Sequence, residues 1–184
     1  KQKIYDFNQL PPSRQSKEAP QMIKNIFGKT GENVWVEAPF HCDYGWNIEV
    51  GENFYSNYNL TILDVGKVTC GKNVQIAPNV SIYTAGHPVH PDSRNSGYEY
   101  GIPVTVGDNV WIGGNTVILP GVTVGSNVVI GAGSVVSKDI PDNTIAAGNP
   151  CKVIREITDE DRIYYFKKQK FDDEAWEEVK NKNK

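Results

Sequence analysis

Aliphatic residues recur along the chain at intervals of six. From Cys70 they fall at Ile76 and Ile82, and after an interruption at Val106, Ile112, Ile118, Val124, Ile130 and Val136. The following residue is mostly small: Gly71, Ala77, Gly107, Gly113, Gly125, Gly131 and Ser137, with Tyr83 and Leu119 as exceptions. Three residues beyond it comes another small or β-branched residue, as at Val74, Val110, Thr116, Val128 and Ser134, and Val50-Gly51 is a weaker copy upstream. A period of six matches neither the 3.6 of a helix nor the 2 of a half-buried strand. It predicts a short strand, a turn and another short strand, repeated, with the aliphatic residue inward and the small residue relieving the turn of a Cβ clash. Hexapeptide periodicity is a signature of a parallel β-helix, whose coils bury their apolar edges only by stacking. A β-sandwich would show period-2 alternation and turns every 8–12 residues, and the phased run of six hexads from Val106 argues against it.

Two segments break the period. Residues 83–105 carry Gly86, Pro88, Pro91, Gly97, Gly101 and Pro103 and read as an excursion loop, the kind of long loop that usually serves function. Asp139-Ile-Pro-Asp-Asn is where the regular coils are expected to end. Met22, Ile23, Ile26 and Phe27 form a short helical stripe within 14–27, limited by Pro20. Thr158 is a candidate N-cap for a helix carrying Ile163, Tyr164 and Phe166, and Asp172 for a last short helix holding Trp176. The tail KNKNK should be solvated. The organisation expected is an N-terminal helical segment (1–30), a β-helix (31–154) and a C-terminal helical tail (155–184).

The 184 residues suit one domain with its own core. Nineteen basic against 22 acidic residues, with no dense Lys/Arg run, disfavour nucleic acid as a partner. No apolar stretch is long enough to span a membrane, and no signal peptide is visible. Cys42, Cys70 and Cys151 are odd in number and widely spaced. They suit a reducing cytoplasm and argue against a disulfide framework or a Cys-only zinc site.

The motifs DYGWNIEVG (43–51), NFYSNYN (53–59), IAPNVSIYTAGHPVH (76–90), VGDNVWIGG (106–114), LPGVTVG (119–125), VIGAGSVVSKDIP (129–141) and AAGNPCKVIREI (146–157) together resemble the maltose/galactoside O-acetyltransferase branch of the hexapeptide-repeat acyltransferases. The likeness covers about residues 4–166. It implies a left-handed parallel β-helix, a homotrimer with active sites between subunits, and acetyl-coenzyme A as donor with no metal required. It also implies a further helical segment ahead of residue 4 that helps build the acceptor site. The sequence starts at Lys1, so either it is trimmed or the acceptor pocket is more open than in relatives.

Acetyl transfer from a thioester to a hydroxyl needs a base, a donor to the tetrahedral oxyanion, and alignment of both substrates. Imidazole suits the first role near neutral pH. By resemblance, His87, the first His of GHPVH, is the catalytic base, its other ring nitrogen oriented by a carbonyl or carboxylate. His41 and His90 are read as structural or exposed. Asn57 matches the family's acceptor-site Asn and can donate or accept, although Asn57 and Asn59 also read as turn residues. Asp43 and Asp64 match carboxylates near the acceptor; Asp64 precedes Val65, where some relatives carry a second Asp. Tyr55 could stack on a sugar or sit at the core edge. Glu99 shares the loop with His87 and could orient the base or the acceptor, or be simply exposed.

On the donor side, Gly113 and Gly114 would let the pantetheine arm approach closely, with Gly114 replacing a frequent Ser. Trp111 could wall the thioester or pack at a corner. Ala132, Ser137 and Lys138 match coenzyme-contact positions, and Lys152 and Arg155 match the basic pair beyond the coils. Cations there suit the phosphorylated end of the coenzyme, Lys152 as a point charge rather than a fork. The expected function is acetyl-coenzyme A-dependent O-acetylation of a sugar such as a maltose-, galactoside- or glucose-like compound, by direct attack. An acyltransferase with a non-sugar acceptor is one alternative. A β-helix metalloenzyme of the carbonic anhydrase type, using His87 and His90, is weaker because such a site needs three His on the coils. A non-catalytic scaffold is disfavoured by the intact GHPVH.

Overall fold

The computed structural model describes residues 1–182 and is a parallel β-helix with helices at its start and end. Three parallel sheets form its faces. Face one stacks strands 34–36, 54–56, 75–76, 111–112, 129–130 and 144–147; face two stacks 40–42, 60–63, 81–83, 117–118 and 135–136; face three stacks 48–50, 68–70, 104–106 and 123–124. The chain visits them in the order one, two, three on every coil. All nine hexad residues from Cys70 to Val136 point inward and are buried, as are Val74, Val110, Thr116, Val128 and Ser134. In the wider first coils Phe40 and Phe54 take the inward positions, and Phe7 of the N-terminal helix is buried with them.

The corners explain the small residues differently from the sequence expectation. Left-handed backbone is supplied by asparagine: Asn53, Asn73, Asn109, Asn127 and Asn143 at the three-to-one corner and Asn59, Asn79 and Asn115 at the one-to-two corner all have φ between 55° and 63°. Asn is among the few non-Gly residues that tolerate this region. The first set hydrogen-bonds side chain to side chain from coil to coil, 3.0 Å from Asn53 to Asn73 and 2.8–2.9 Å onward to Asn143. The hexad glycines serve stacking instead. A Cβ on Gly125 would lie 2.2 Å from Asp142 Oδ1 and 2.7 Å from its backbone nitrogen.

Other differences are local. The regular step ends at 139–143, but the stacking continues: Ile140 bridges Val124 and strand 144–147 adds a further rung to face one, at a spacing of sixteen residues (Val129 to Ile145) instead of eighteen. Helix α1 spans Gln2–Asn8, and α2 spans Pro12–Ile26. Pro20 does not limit α2. The carbonyl it leaves unpaired belongs to solvent-exposed Ser16, on the side of the helix where such a lost bond is tolerated, while Ala19, Ile23 and Ile26 pack on the core. Thr158 opens only a 3-10 turn, Asp159–Ile163. The aromatic run Tyr164–Phe166 then forms a hairpin with Gln169–Lys170, as β propensity favours, through Lys167 at φ 51°. A short helix α3 (Pro91–Asn95) lies in the excursion loop. Helix α4 (Asp173–Lys182) is capped by Asp172, whose Oδ1 accepts the Ala175 N–H at 2.8 Å. It takes in Lys180–Lys182 of the tail expected to be solvated; residues 183–184 lie outside the described residues.

Candidate active site

Departures from the six-residue step fall at the two-to-three corner. Aligned inward residues are eight apart there in the first two coils, Phe40 to Ile48 and Leu60 to Val68, twenty-four apart in the third, Val80 to Val104, and six apart in the next, Thr116 to Val122. Insertions in a solenoid collect on one face, often the binding face. Here they build three stacked loops: residues 43–47, residues 64–67, and the excursion loop with His87.

The second loop supports the first. Asp64 is fully buried, and its carboxylate accepts the backbone N–H groups of Asp43 and Tyr44 on Oδ1 (both 2.9 Å) and of Gly45 on Oδ2 (2.7 Å). Asp64 is therefore not a group that accepts from a substrate hydroxyl, as the sequence suggested, but one that fixes the Asp43 loop. Gly45 needs its φ of +88°, with Ile26 of α2 close behind. Asp43 is half-buried and 3.6 Å from the Lys1 ammonium.

His87 stands at the root of the third loop. Its Nδ1 is 2.9 Å from the Tyr98 carbonyl oxygen. A carbonyl only accepts, so Nδ1 carries the proton and Nε2 presents a lone pair. Glu99 Oε1 lies 4.0 Å from Nε2, on the opposite side of the ring from the Tyr98 bond, so it is not the group that orients the ring. The loop is rooted by strand 85–86 pairing with 100–101, and Gly101 packs against Gly66 and Val65 of the coil beneath.

Asn57 is at a different corner. It follows the inward Ser56 at the one-to-two corner, its N–H donating to the Ile76 carbonyl (2.8 Å) and its Oδ1 accepting from Tyr58 N–H (2.8 Å). The amide NH2 takes no part in these two bonds. Asn57 does not take the left-handed turn conformation that Asn59 does. Gly113, Gly114 and Ala132 continue this corner on later coils, and Tyr55 and Trp111 stand on the outer side of face one beside it, 38% and 55% exposed. Neither aromatic is core. Gly113 is explained by stacking, since its Cβ would meet Ala132 N at 2.5 Å; Gly114 has more room, 3.1 Å to the Pro78 carbonyl. Ser137 and Lys138 are exposed at the corner that bears His87. Within one chain, then, a whole face separates His87, Glu99, Asp43, Ser137 and Lys138 from Asn57, Gly114 and Ala132.

Lys152 and Arg155 lie on strand Lys152–Glu156, which returns antiparallel along 144–147. Lys152 is exposed. Arg155 is not the open cation expected: its guanidinium grips Asp161 through two bonds of 2.7 and 2.6 Å and also donates to the Glu156 carbonyl. That fork, with the Thr158 N–H, holds the Asp161 carboxyl well below the usual carboxylate range.

The three cysteines are free and buried. Burial pushes the thiols of Cys42 and Cys70 up to about 12 and raises that of Cys151, which makes none a thiolate nucleophile. His90 Nδ1 accepts the Asp92 N–H at 3.2 Å and caps α3. Among the described residues no three His, Cys, Asp or Glu side chains cluster to hold a metal ion, and no helix is long and apolar enough to cross a membrane. Two features escaped the sequence reading: the asparagine ladder, signalled by an Asn two residues after most hexad glycines, and the aromatic pair Tyr44–Trp46, signalled by the eight-residue step from Phe40 to Ile48.

Comparison with known proteins agrees with this architecture. The family model for the bacterial transferase hexapeptide (six repeats) matches residues 103–138. The galactoside O-acetyltransferase of Escherichia coli K12 is 55% identical over 167 residues, 91% of this chain and 82% of that protein. A solved galactoside acetyltransferase in complex with coenzyme A superposes with a TM-score of 0.90 at 54% identity, covering 93% of this chain and 85% of that one. A maltose O-acetyltransferase from Clostridium difficile 630 does so at 0.84 and 53%, covering 86% and 84%. Fold and relatives define an acyltransferase built on hexapeptide repeats. Within that class, the chain belongs to the galactoside and maltose O-acetyltransferase family.

Proposed function

We propose that the protein transfers acetyl from acetyl-coenzyme A to a hydroxyl of a sugar, in a homotrimer whose sites lie between subunits. The observation that carries the reading is the His87 ring, held by the Tyr98 carbonyl with Nε2 outward. The hydroxyl proton passes to Nε2 as the hydroxyl oxygen attacks the thioester carbonyl carbon. The tetrahedral intermediate collapses by breaking the C–S bond, and the proton moves from Nε2 to the departing thiolate sulfur. Glu99 steadies the transient imidazolium. Such a base typically contributes about 10²–10⁴-fold.

The trimer is supported by the separation of His87 and Asn57 on two corners of one chain. A neighbouring copy that brings its one-to-two corner against the two-to-three corner would unite His87, Glu99 and Asp43 with the partner's acceptor-facing amide and pantetheine-lining corner. Asn57 then orients the acceptor or the reacting carbonyl through its NH2, Tyr55 flanks the sugar, and Trp111, Gly114 and Ala132 border the pantetheine arm. Lys138 and Lys152 offer charge to the phosphates, with Ser137 beside them. Free cysteines and a coenzyme A donor suit a cytoplasmic setting.

The test is thiol release from acetyl-coenzyme A across a panel of mono- and disaccharides. Acceptor-dependent release that disappears in His87→Ala supports the reading, and no release with any sugar, by a protein that binds the coenzyme, overturns the sugar as acceptor.

A further inference from the structure

His87 stands on a loop that is joined to the coils through its two arms. Residues 89–99 are all exposed. The side-chain bonds of His87 and Arg94 stay inside the loop: His87 reaches the Tyr98 carbonyl, and Arg94 donates to the carbonyls of Val89 at 2.8 Å and Pro88 at 3.3 Å. Thr84 fixes the outgoing arm. It is fully buried, and its Oγ1 donates to the Leu63 carbonyl at 2.5 Å and accepts the Gly66 N–H at 2.8 Å. The return arm is tied to the same residue, because Ile102 N–H donates to the Thr84 carbonyl at 2.8 Å.

Further along the arms, Gly86 and Tyr100 face each other across the ladder. They are its last pair before His87 on one arm and Glu99 on the other. Tyr100 is half-buried, the first residue of the return arm to be covered. Its ring lies over the glycine: a Cβ on Gly86 would sit 2.7 Å from Tyr100 Cε2, and closer still to Cζ and Oη. A strand glycine has no side chain to pack and is weakly ordered, and an aromatic ring laid on it from the facing strand supplies the missing contact. Just beyond this pair, the 2.9 Å bond from His87 Nδ1 to the Tyr98 carbonyl closes the two arms. The spacing of the arms at Gly86 and Tyr100 therefore decides whether that bond can form.

We propose that Tyr100 is a positioning residue for the base: its ring, clamped on Gly86, holds the arms at the separation that lets His87 Nδ1 donate to Tyr98, and so keeps the lone pair on Nε2. This rests on the reading of His87 as the base. The ring carbons Cζ and Cε2 that cover Gly86 are shared by phenylalanine, so Tyr100→Phe keeps the clamp and Tyr100→Ala removes it. Gly86→Ala breaks the same contact from the other arm, by placing a Cβ where the ring now lies.

The experiment reads the His87 ring directly, by proton–nitrogen correlation of the labelled imidazoles at pH ~8, above the ordinary imidazole value. The His87 signals are those missing in His87→Ala. Turnover and the KM for acetyl-coenzyme A are measured on the same samples. The expected result is the Nδ1–H form in wild type and Tyr100→Phe, and a mixture of tautomers in Tyr100→Ala and Gly86→Ala. In the last two kcat falls by about 10–10²-fold, the scale of a misplaced reacting group, at an unchanged coenzyme KM. Both changes break one contact, so the double variant should lose no more than either alone. Gly86→Ala serves if Tyr100→Ala does not fold. Additive losses overturn the clamp, as does a kcat that falls at an unchanged tautomer or a changed tautomer at full kcat. A wild type that acetylates no sugar fails the base reading and not the clamp, which the tautomer then decides alone.

Discussion

His87 Nδ1 and the Tyr98 carbonyl oxygen are 2.9 Å apart, a bond that closes the excursion loop on itself and sets the imidazole tautomer. The same contact that orders the loop therefore puts the lone pair on Nε2. Replacing His87 with Ala should lower kcat by at least about 10²-fold while coenzyme A binding, read by titration, persists. His87→Asn separates the two roles of the ring, because an amide N–H can still bond Tyr98 but cannot act as the base. Equal loss in both variants identifies proton transfer as the missing function, whereas activity in His87→Asn would show that loop closure is what matters.

Asp64 tests the claim that the Asp43 loop is held by the next coil. Asp64→Asn puts an NH2 group among three backbone N–H donors that now bind a carboxylate. Hydrogen bonds to charged groups are worth about 1.5–3 kcal/mol each, so a loss of at least about 3 kcal/mol is expected in denaturant unfolding, along with a raised acceptor KM. A shift under about 0.5 kcal/mol, the range of neutral surface changes, would contradict the support role.

The asparagine ladder can be split into its two contributions at Asn109. The side chain donates to Asn127 at 2.9 Å and accepts from Asn73 at 2.8 Å, on a backbone at φ 56°. Asn109→Gly keeps the backbone conformation and loses the ladder; Asn109→Ala loses both. Left-handed backbone costs about 1–2 kcal/mol for an ordinary L-residue, so Ala should be less stable than Gly by roughly that amount. Equal stability of the two would mean that the ladder bonds, not the dihedral, select Asn.

The buried thiols give an alkaline signature. A thiol whose value in the folded chain is about 12, as for Cys70, against about 8.5 in the unfolded chain, makes its full contribution to stability below pH ~8.5. It loses that contribution as pH rises toward 12. Unfolding midpoints should therefore decline above pH ~9, and less in Cys70→Ala than in wild type. At pH 8 an aromatic disulfide reagent should find the three cysteines unreactive until denaturant is added. Rapid labelling of the native protein would contradict their burial.

The hexads from Val106 made the β-helix legible because each inward residue lies six from the next when a corner has no insertion. Upstream the pattern faded for a physical reason: the steps from Phe40 to Ile48 and from Leu60 to Val68 are eight, which drops Val50 out of phase. The excursion loop was legible from its Gly and Pro. That Asp64 points inward was not, since a carboxylate beside a binding loop looks the same whether it meets a ligand or three amides. The hairpin at Tyr164–Phe166 reads as helix in the sequence because Thr158 and three acidic residues are a good helix start. The start is real, but Asp161 is drawn to Arg155 and the aromatic run prefers strand.

Arg155 and Lys152 lie three positions apart on one strand, yet only one is open to a phosphate. The Arg155 fork is filled by Asp161, and displacing a carboxylate from a bidentate guanidinium costs more than engaging a solvated ammonium. Lys152→Ala should therefore raise the KM for acetyl-coenzyme A severalfold, with kcat unchanged and the effect shrinking as salt is added. Arg155→Ala should act chiefly on the segment it clasps, speeding amide hydrogen exchange across 158–170. The sign of the pH effect follows from Asp161. Its carboxyl is lowered by Arg155 first and by the Thr158 N–H next, so the bridge is fully present above the unfolded value of about 4. It is lost only as pH falls through the depressed folded value. Exchange in 158–170 should thus show equal protection at pH 5 and pH 8 after correction for intrinsic rates. In Asp161→Asn the segment should exchange faster at both pH values while coenzyme affinity rises, because the guanidinium is released toward the phosphates. An Arg155→Ala variant whose coenzyme KM rises as much as that of Lys152→Ala would show that the fork opens when coenzyme binds.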